Sequence, residues 1–154
     1  MDVEDGSIVQ MTDNQVADSE PVWSPDGRRI VFRSQRYDGC QICVMDVQTR
    51  EEIKTLEDPE SGFWPSWSPD GRFLAYIGRE AGSIEQTLHI LDIETGTSRS
   101  FAAFRAVNGF LWSPDGRYLI YERLEDWNED GFKEVKLRVL QVSDGTEWSV
   151  SSME

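Results

Sequence analysis

Three groups of side chains in this 154-residue sequence have types and spacing that could do chemistry. Cys40 and Cys43 stand in CxxC spacing, which can activate a thiol at a helix N-terminus or hold a metal in a knuckle. Here the pair opens an expected strand, Cys40 to Val47, where residues three apart point to opposite faces. No second cysteine pair follows, and His89 is the single histidine. The pair therefore reads as two small strand residues with reduced thiols. Ser83, His89 and Asp92 supply the residue types of a nucleophilic triad, but no G-x-S-x-G turn strains a serine into place. Neither a G-x-x-x-x-G-K-[ST] phosphate loop nor a dinucleotide fingerprint is present. The third group is the string ERLEDWNEDGFKE, in which Glu125, Asp126, Glu129 and Asp130 surround Trp127. An aromatic anchor in an acidic rim could bind a basic peptide. The carboxylates of 125–131 could instead hold Ca²⁺, although Asn128, Asp130 and Gly131 are only a fragment of the EF-hand pattern. A solvated insertion, with Trp127 packed on its own sheet or on a neighbouring subunit, is the third possibility. Carboxylates are abundant because the chain is acidic, and none is singled out as a catalytic pair. The expectation is a protein without catalytic residues, metal or cofactor.

Charge narrows the partners. Acidic residues outnumber basic ones 29 to 15, for a net charge of −14. Such a surface repels nucleic acids and anionic membranes and suits a cationic partner, or simply keeps exposed sheet edges soluble. Six tryptophans, within an aromatic content of 11%, provide for a packed core. No stretch approaches the roughly 18 apolar residues of a membrane span. Met1 to Gln10 carries Asp2, Glu4 and Asp5, unlike the basic-then-apolar start of a signal peptide. The expected location is cytoplasmic as written, or periplasmic if a leader was removed.

The elements that must position these groups come from a repeat. WSPDGRRIVF begins at Trp23, WSPDGRFLAY at Trp67 and WSPDGRYLIY at Trp112, 44 and 45 residues apart. A period of about 40–45 residues with several strands per unit is that of β-propeller blades. In S-P-D-G, Pro presets φ at the second turn position, Asp suits the third, and Gly accepts positive φ at the fourth, so each string predicts a tight hairpin. Strand A ends at the Trp. Strand B is predicted over Arg29 to Arg33, Phe73 to Ile77 and Tyr118 to Arg123. Strand C is predicted over Gln41 to Val47, Thr87 to Ile93 and Val135 to Val142. Strand D follows at Glu52 to Leu56, Thr97 to Ala102 and Thr146 to Val150. Asp46 and Asp92 each end an apolar run, VMDV and ILDI, whereas Gln141 takes that place in VLQV. The repeated tryptophans and the apolar residues of strands B and C are expected to fill the spaces between blades, because one blade alone cannot bury both its faces.

With three in-register WSPDG strings, each followed by a basic residue and an apolar strand, the chain resembles the TolB-type, WD-repeat-like β-propellers. The resemblance covers nearly the whole chain and implies an all-β propeller. It implies little about function. Related propellers occur as periplasmic binding proteins, as sensor domains of kinases or regulators and as gating domains of serine peptidases, and one fold carries many functions. Propellers also host glycan hydrolases and lyases, which makes such an activity the remaining catalytic alternative.

Three blades are fewer than the about four to eight of a closed propeller. Val3-Glu4-Asp5-Gly6 aligns with Val47-Gln48-Thr49-Arg50, Ile93-Glu94-Thr95-Gly96 and Val142-Ser143-Asp144-Gly145. Residues 1–12 therefore read as an outer strand of a preceding blade, its core being Ser7, Ile8, Val9, Gln10, Met11 and Thr12. Blades follow at 13–56, 57–102 and 103–154. The resemblance implies a six-bladed ring, which two copies would close as a homodimer. The alternatives are a larger ring or a piece of a longer propeller. The D–A loops (Asp13 to Glu20, Glu57 to Trp64, Ala103 to Gly109) and the B–C loops (Ser34 to Gly39, Gly78 to Gln86, Leu124 to Glu134) share one face. They place Phe63, Trp64, Phe104, Arg105, Asn108 and Trp127 as candidate ligand or partner contacts, since loops on a rigid scaffold commonly carry function. The opposite face, with its uniform SPDG turns, is expected to be structural. The reading is a non-catalytic interaction module that self-assembles through blade edges and faces, with peptide or ligand binding at the loop face. A purely structural propeller part is the alternative.

Overall fold

The computed structural model describes residues 6, 8–35, 42–56, 63–78, 85–105, 109–127 and 133–150, through the backbone alone at 54–56, 63, 102–105, 124–127 and 133–134. Among the described residues, twelve strands form three antiparallel units in chain order. Blade 1 comprises β1 (Asp18–Trp23), β2 (Arg29–Ser34), β3 (Ile42–Asp46) and β4 (Glu52–Leu56). Blade 2 comprises β5 (Phe63–Trp67), β6 (Phe73–Gly78), β7 (Glu85–Asp92) and β8 (Ser98–Arg105). Blade 3 comprises β9 (Phe110–Trp112), β10 (Tyr118–Trp127), β11 (Lys133–Gln141) and β12 (Glu147–Ser149). Each blade is a four-stranded meander, and one pair, Leu124 opposite Arg105, continues the sheet of blade 2 into blade 3. No helix among the described residues is long and apolar enough to cross a membrane.

The three SPDG turns close in the same way. The motif serine carbonyl accepts the glycine N–H at 2.9 Å in blade 1, 2.8 Å in blade 2 and 2.9 Å in blade 3. Gly27, Gly71 and Gly116 have φ of +69°, +71° and +69°, where a side chain would be strained. The serine hydroxyl does more than the turn pattern suggests. Ser24, Ser68 and Ser113 each donate it to the turn aspartate and accept the backbone N–H of the first residue of strand B. Ser24 and Ser68 are nearly inaccessible to solvent as a result.

Strand alternation then sorts the apolar residues into two faces per blade. On the face that a blade turns toward its predecessor, blade 2 carries Trp67, Leu74, Tyr76 and Leu91, which meet Val22, Val31, Ile42 and Val44 of blade 1. Blade 3 carries Phe110, Leu119, Tyr121 and Leu140 on the same face, against Ala75, Ile77, Leu88 and Ile90 of blade 2. The motif indoles fasten both seams. Trp67 Nε1 donates to the Val22 carbonyl at 3.3 Å, and Trp112 Nε1 to the Ser66 carbonyl at 3.2 Å.

Several sequence expectations are corrected. Trp23 does not fill a space between blades: it is 60% exposed, against 6% for Trp67, because no blade lies against it among the described residues. Strand β8 runs to Arg105 and β10 to Trp127, into segments expected as loops, because ladder pairs Glu85–Arg105 and Leu124–Val135 extend the pairing. Cys43 is buried and disulfide-bonded, which overturns the reduced thiol. Cys40, the other cysteine, lies outside the described residues. The outer strand expected over Ser7 to Thr12 would pair in a second copy; in the single chain residues 8–12 carry no strand, and Met11 packs beside Phe32, Cys43 and Met45 on the outer face of blade 1.

Candidate functional site

A positive φ recurs three residues before each motif tryptophan. Glu20 has φ +55°, Trp64 φ +52° and Gly109 φ +130°. A left-handed backbone at a glutamate and a tryptophan is unfavourable in isolation and is retained only where the surroundings impose it. Here a β-bulge imposes it. The pairing of β1 with β2 shifts register between Ser19 and Val22, and that of β5 with β6 between Phe63 and Ser66. The bulges join neighbouring blades: a Glu20 carboxylate oxygen accepts the backbone N–H of Trp64 at 2.9 Å, while the Arg33 guanidinium lies 3.9 Å from the other oxygen. The Trp64 side chain is 44% exposed. Glu20 and Gly109 were not singled out from sequence, although their shared offset from the motif Trp was a usable signal.

Strand register places several sequence candidates at the same end of the sheets. Phe63 stands opposite Ile77, Phe104 opposite Gln86, and Arg105 opposite both Glu85 and Leu124, while Trp127 pairs with Lys133. Phe63, Trp64, Phe104, Arg105 and Trp127 thus share the loop end of blades 2 and 3. Asn108 lies outside the described residues, as does the greater part of the acidic loop considered for Ca²⁺. Among the described residues no three acidic, cysteine or histidine side chains are grouped to hold a metal.

The triad imagined from sequence is not assembled among the described residues. His89 is buried and stacks on Tyr76, ring centroids 4.9 Å apart, with Nδ1 3.1 Å from the Ser100 hydroxyl. Asp92 is engaged by Arg72 at 2.9 Å, and Ser83 lies outside the description. Hydrogen bonds from the backbone N–H groups of Thr95 and Glu94, and from Arg72, hold the Asp92 carboxyl below its ordinary range.

The SPDG end is not featureless. A cleft of about 510 Å³ separates the turns of blades 2 and 3, lined by Phe73, Phe101, Tyr118 and three arginines. Each arginine already has partners. Arg72 is held by Asp92, Arg117 by Asp115 at 2.7 Å, and Arg99 by the carbonyls of Val142 at 2.9 Å and Ser143 at 3.1 Å. The turn carboxyls at this end are more acidic than usual. A hydrogen bond from Ser113, then others from Arg117, lower Asp115 to about 2, and Asp26 and Asp70 are lowered chiefly by Ser24 and Ser68.

Three repeated blades, each opened by the same serine-closed turn and joined by the same indole bond, match the pattern of the TolB β-propeller domain over residues 1–143. The chain belongs to this family. No curated protein matches it. Among solved structures, this TolB-family chain is similar to an oligogalacturonate lyase from Vibrio parahaemolyticus, with a TM-score of 0.74 and 17% identity over 97% of this chain and 41% of that one. It is similar to TolB from Acinetobacter baumannii, with a TM-score of 0.66 and 18% identity over 92% of this chain and 34% of that one. It also resembles the propeller domain of the Trilobed protease from Pyrococcus furiosus, with a TM-score of 0.68 and 15% identity over 88% and 43%. These likenesses establish the fold. The chain spans between a third and somewhat over two-fifths of the length of these three proteins.

Proposed function

We propose that this chain is a non-catalytic protein–protein interaction module that self-associates through its open blade faces and binds a cationic peptide or protein at its loop end. One observation carries the self-association. Two inner-strand positions that are buried or half-buried at the internal seams are bare on the outer faces. Leu111, the blade 3 counterpart of Val22 and Ser66, is 71% exposed, and Trp23, the counterpart of Trp67, is 60% exposed. Burying such apolar area stabilises by about 25 cal/mol per Å², and exposed patches of this kind favour association. The loop-end reading is supported by the half-exposed Trp64 beside the Glu20 carboxylate and by the net charge of −14.

Light scattering over a concentration series tests the first part. The expected mass exceeds the 17.7 kDa of one chain, and a mass that stays there at every concentration refutes self-association. An arginine-rich peptide tests the second, with binding expected to weaken in Trp64→Ala and to fall as salt is raised. No binding to the unaltered protein refutes the loop-end site.

A further inference from the structure

We infer that the outer faces of blades 1 and 3 meet in a second copy of this chain, in the register of the internal seams, so that two copies close one six-bladed ring. This rests on the self-association proposed above and assigns its contacts.

The two internal seams obey one rule, read residue for residue. The motif indole donates to the carbonyl that precedes the motif Trp of the previous blade: Trp67 to Val22 and Trp112 to Ser66. The motif proline of one blade approaches the turn glycine of the next. A Cβ built on Gly71 would lie 3.6 Å from Pro25 Cδ, and one built on Gly116 would lie 3.6 Å from Pro69 Cδ. Gly27 has nothing within 4 Å of that position among the described residues. Carried one step further, the rule gives Trp23 a single counterpart, the Leu111 carbonyl of the second copy, and seats Pro114 of that copy against Gly27.

The side chains on the two outer faces fit this register. Blade 1 meets blade 2 with Val22, Val31, Ile42 and Val44, and the repeat places Leu111, Ile120, Leu137 and Val139 at the same positions of blade 3. Leu137 is 43% exposed there, and Trp148 on the neighbouring strand is 40% exposed. Shallow hollows already run between these residues, one lined by Leu111, Ile120 and Leu137 and another by Leu111, Ile120, Val139 and Trp148. On the other partner, Ile30 continues the apolar face beside Trp23, in the place held by Leu74 in blade 2. Met11 packs on Phe32, Cys43 and Met45 in the middle of this face and would shift aside as the second copy seats, while Trp23 on the inner strand is uncovered.

Symmetry sets the number of copies. The contact is head-to-tail, so it closes only as a ring. Propellers close at about four to eight blades, and six is the one multiple of three in that range.

Sedimentation equilibrium on the intact protein and on two variants tests the register. Trp23→Ala and Leu111→Arg alter side chains that are mostly exposed in the single chain, so both should fold, which circular dichroism checks. The unaltered protein is expected at twice 17.7 kDa. Each variant should raise the dimer dissociation constant about tenfold or more. A dimer that survives both substitutions overturns this register and leaves self-association standing. A monomeric unaltered protein overturns both proposals. A trimer or larger ring overturns the two-copy closure.

Discussion

The Glu20 carboxylate accepts the backbone N–H of Trp64 at 2.9 Å, and both residues sit at the same repeat position with φ of +55° and +52°. One bulge thus uses its side chain to hold the backbone of the next bulge, joining blade 1 to blade 2 at the loop end. A charged acceptor on a backbone N–H contributes more than a neutral one, and removing it leaves that donor without its protein partner. Glu20→Ala is expected to destabilise the protein by about 1–2 kcal/mol, and Glu20→Gln, which keeps an acceptor oxygen, by less. Urea unfolding curves measure both. Equal stability of Glu20→Ala and the unaltered protein would show that the contact contributes nothing.

Trp67 and Trp23 occupy one sequence motif in two environments. Trp67→Ala removes a buried side chain and its bond to Val22, and about 3–5 kcal/mol of stability should be lost. Trp23→Ala, measured at concentrations where the chain is monomeric, should change stability by less than about 0.5 kcal/mol. Thermal or urea denaturation of the pair distinguishes a seam residue from an uncovered one. Similar losses for both would contradict the exposure of Trp23.

The turn aspartates make stability depend on acid. The folded pKa of Asp115 is about 2, depressed from 3.8, and Asp26 and Asp70 shift in the same direction. A depressed carboxyl contributes its full stabilisation above the unfolded value, and that contribution is lost as pH falls through the folded one. Stability should therefore stay level, as far as these groups are concerned, down to near pH 4 and decline from there toward pH 2. Asp115→Asn should flatten part of the decline. Urea midpoints followed across this range provide the measurement, and an unchanged slope in the variant would remove Asp115 from the account.

Arg50 has φ +61° in the C–D turn of blade 1, where blades 2 and 3 place Gly96 at +74° and Gly145 at +79°. A left-handed conformation costs a non-glycine residue about 1–2 kcal/mol, partly offset by the greater freedom of glycine in the unfolded chain. Arg50→Gly is expected to stabilise by about 0.5–1 kcal/mol. A fall in thermal midpoint for Arg50→Gly would mean that the arginine side chain makes contacts worth more than the strain.

The sequence by itself determined what is local and periodic. Ser, Pro, Asp and Gly carry their own turn geometry, so the three hairpins and the strands behind them stand where the motif predicts. Alternation of apolar residues marked both faces of every blade as sticky. Tertiary structure alone decided which faces are covered. Trp23 and Trp67 are identical in motif and differ only because a blade lies against one and not the other. The positive φ at Glu20 and Trp64 was equally hidden, since neither residue type favours it and the bulge arises from pairing with the next strand. The same dependence on pairing partners lengthened β10 to Trp127 and drew most of the loop candidates to one end of the sheets. Local chemistry writes the blade, while burial depends on what the fold sets beside it.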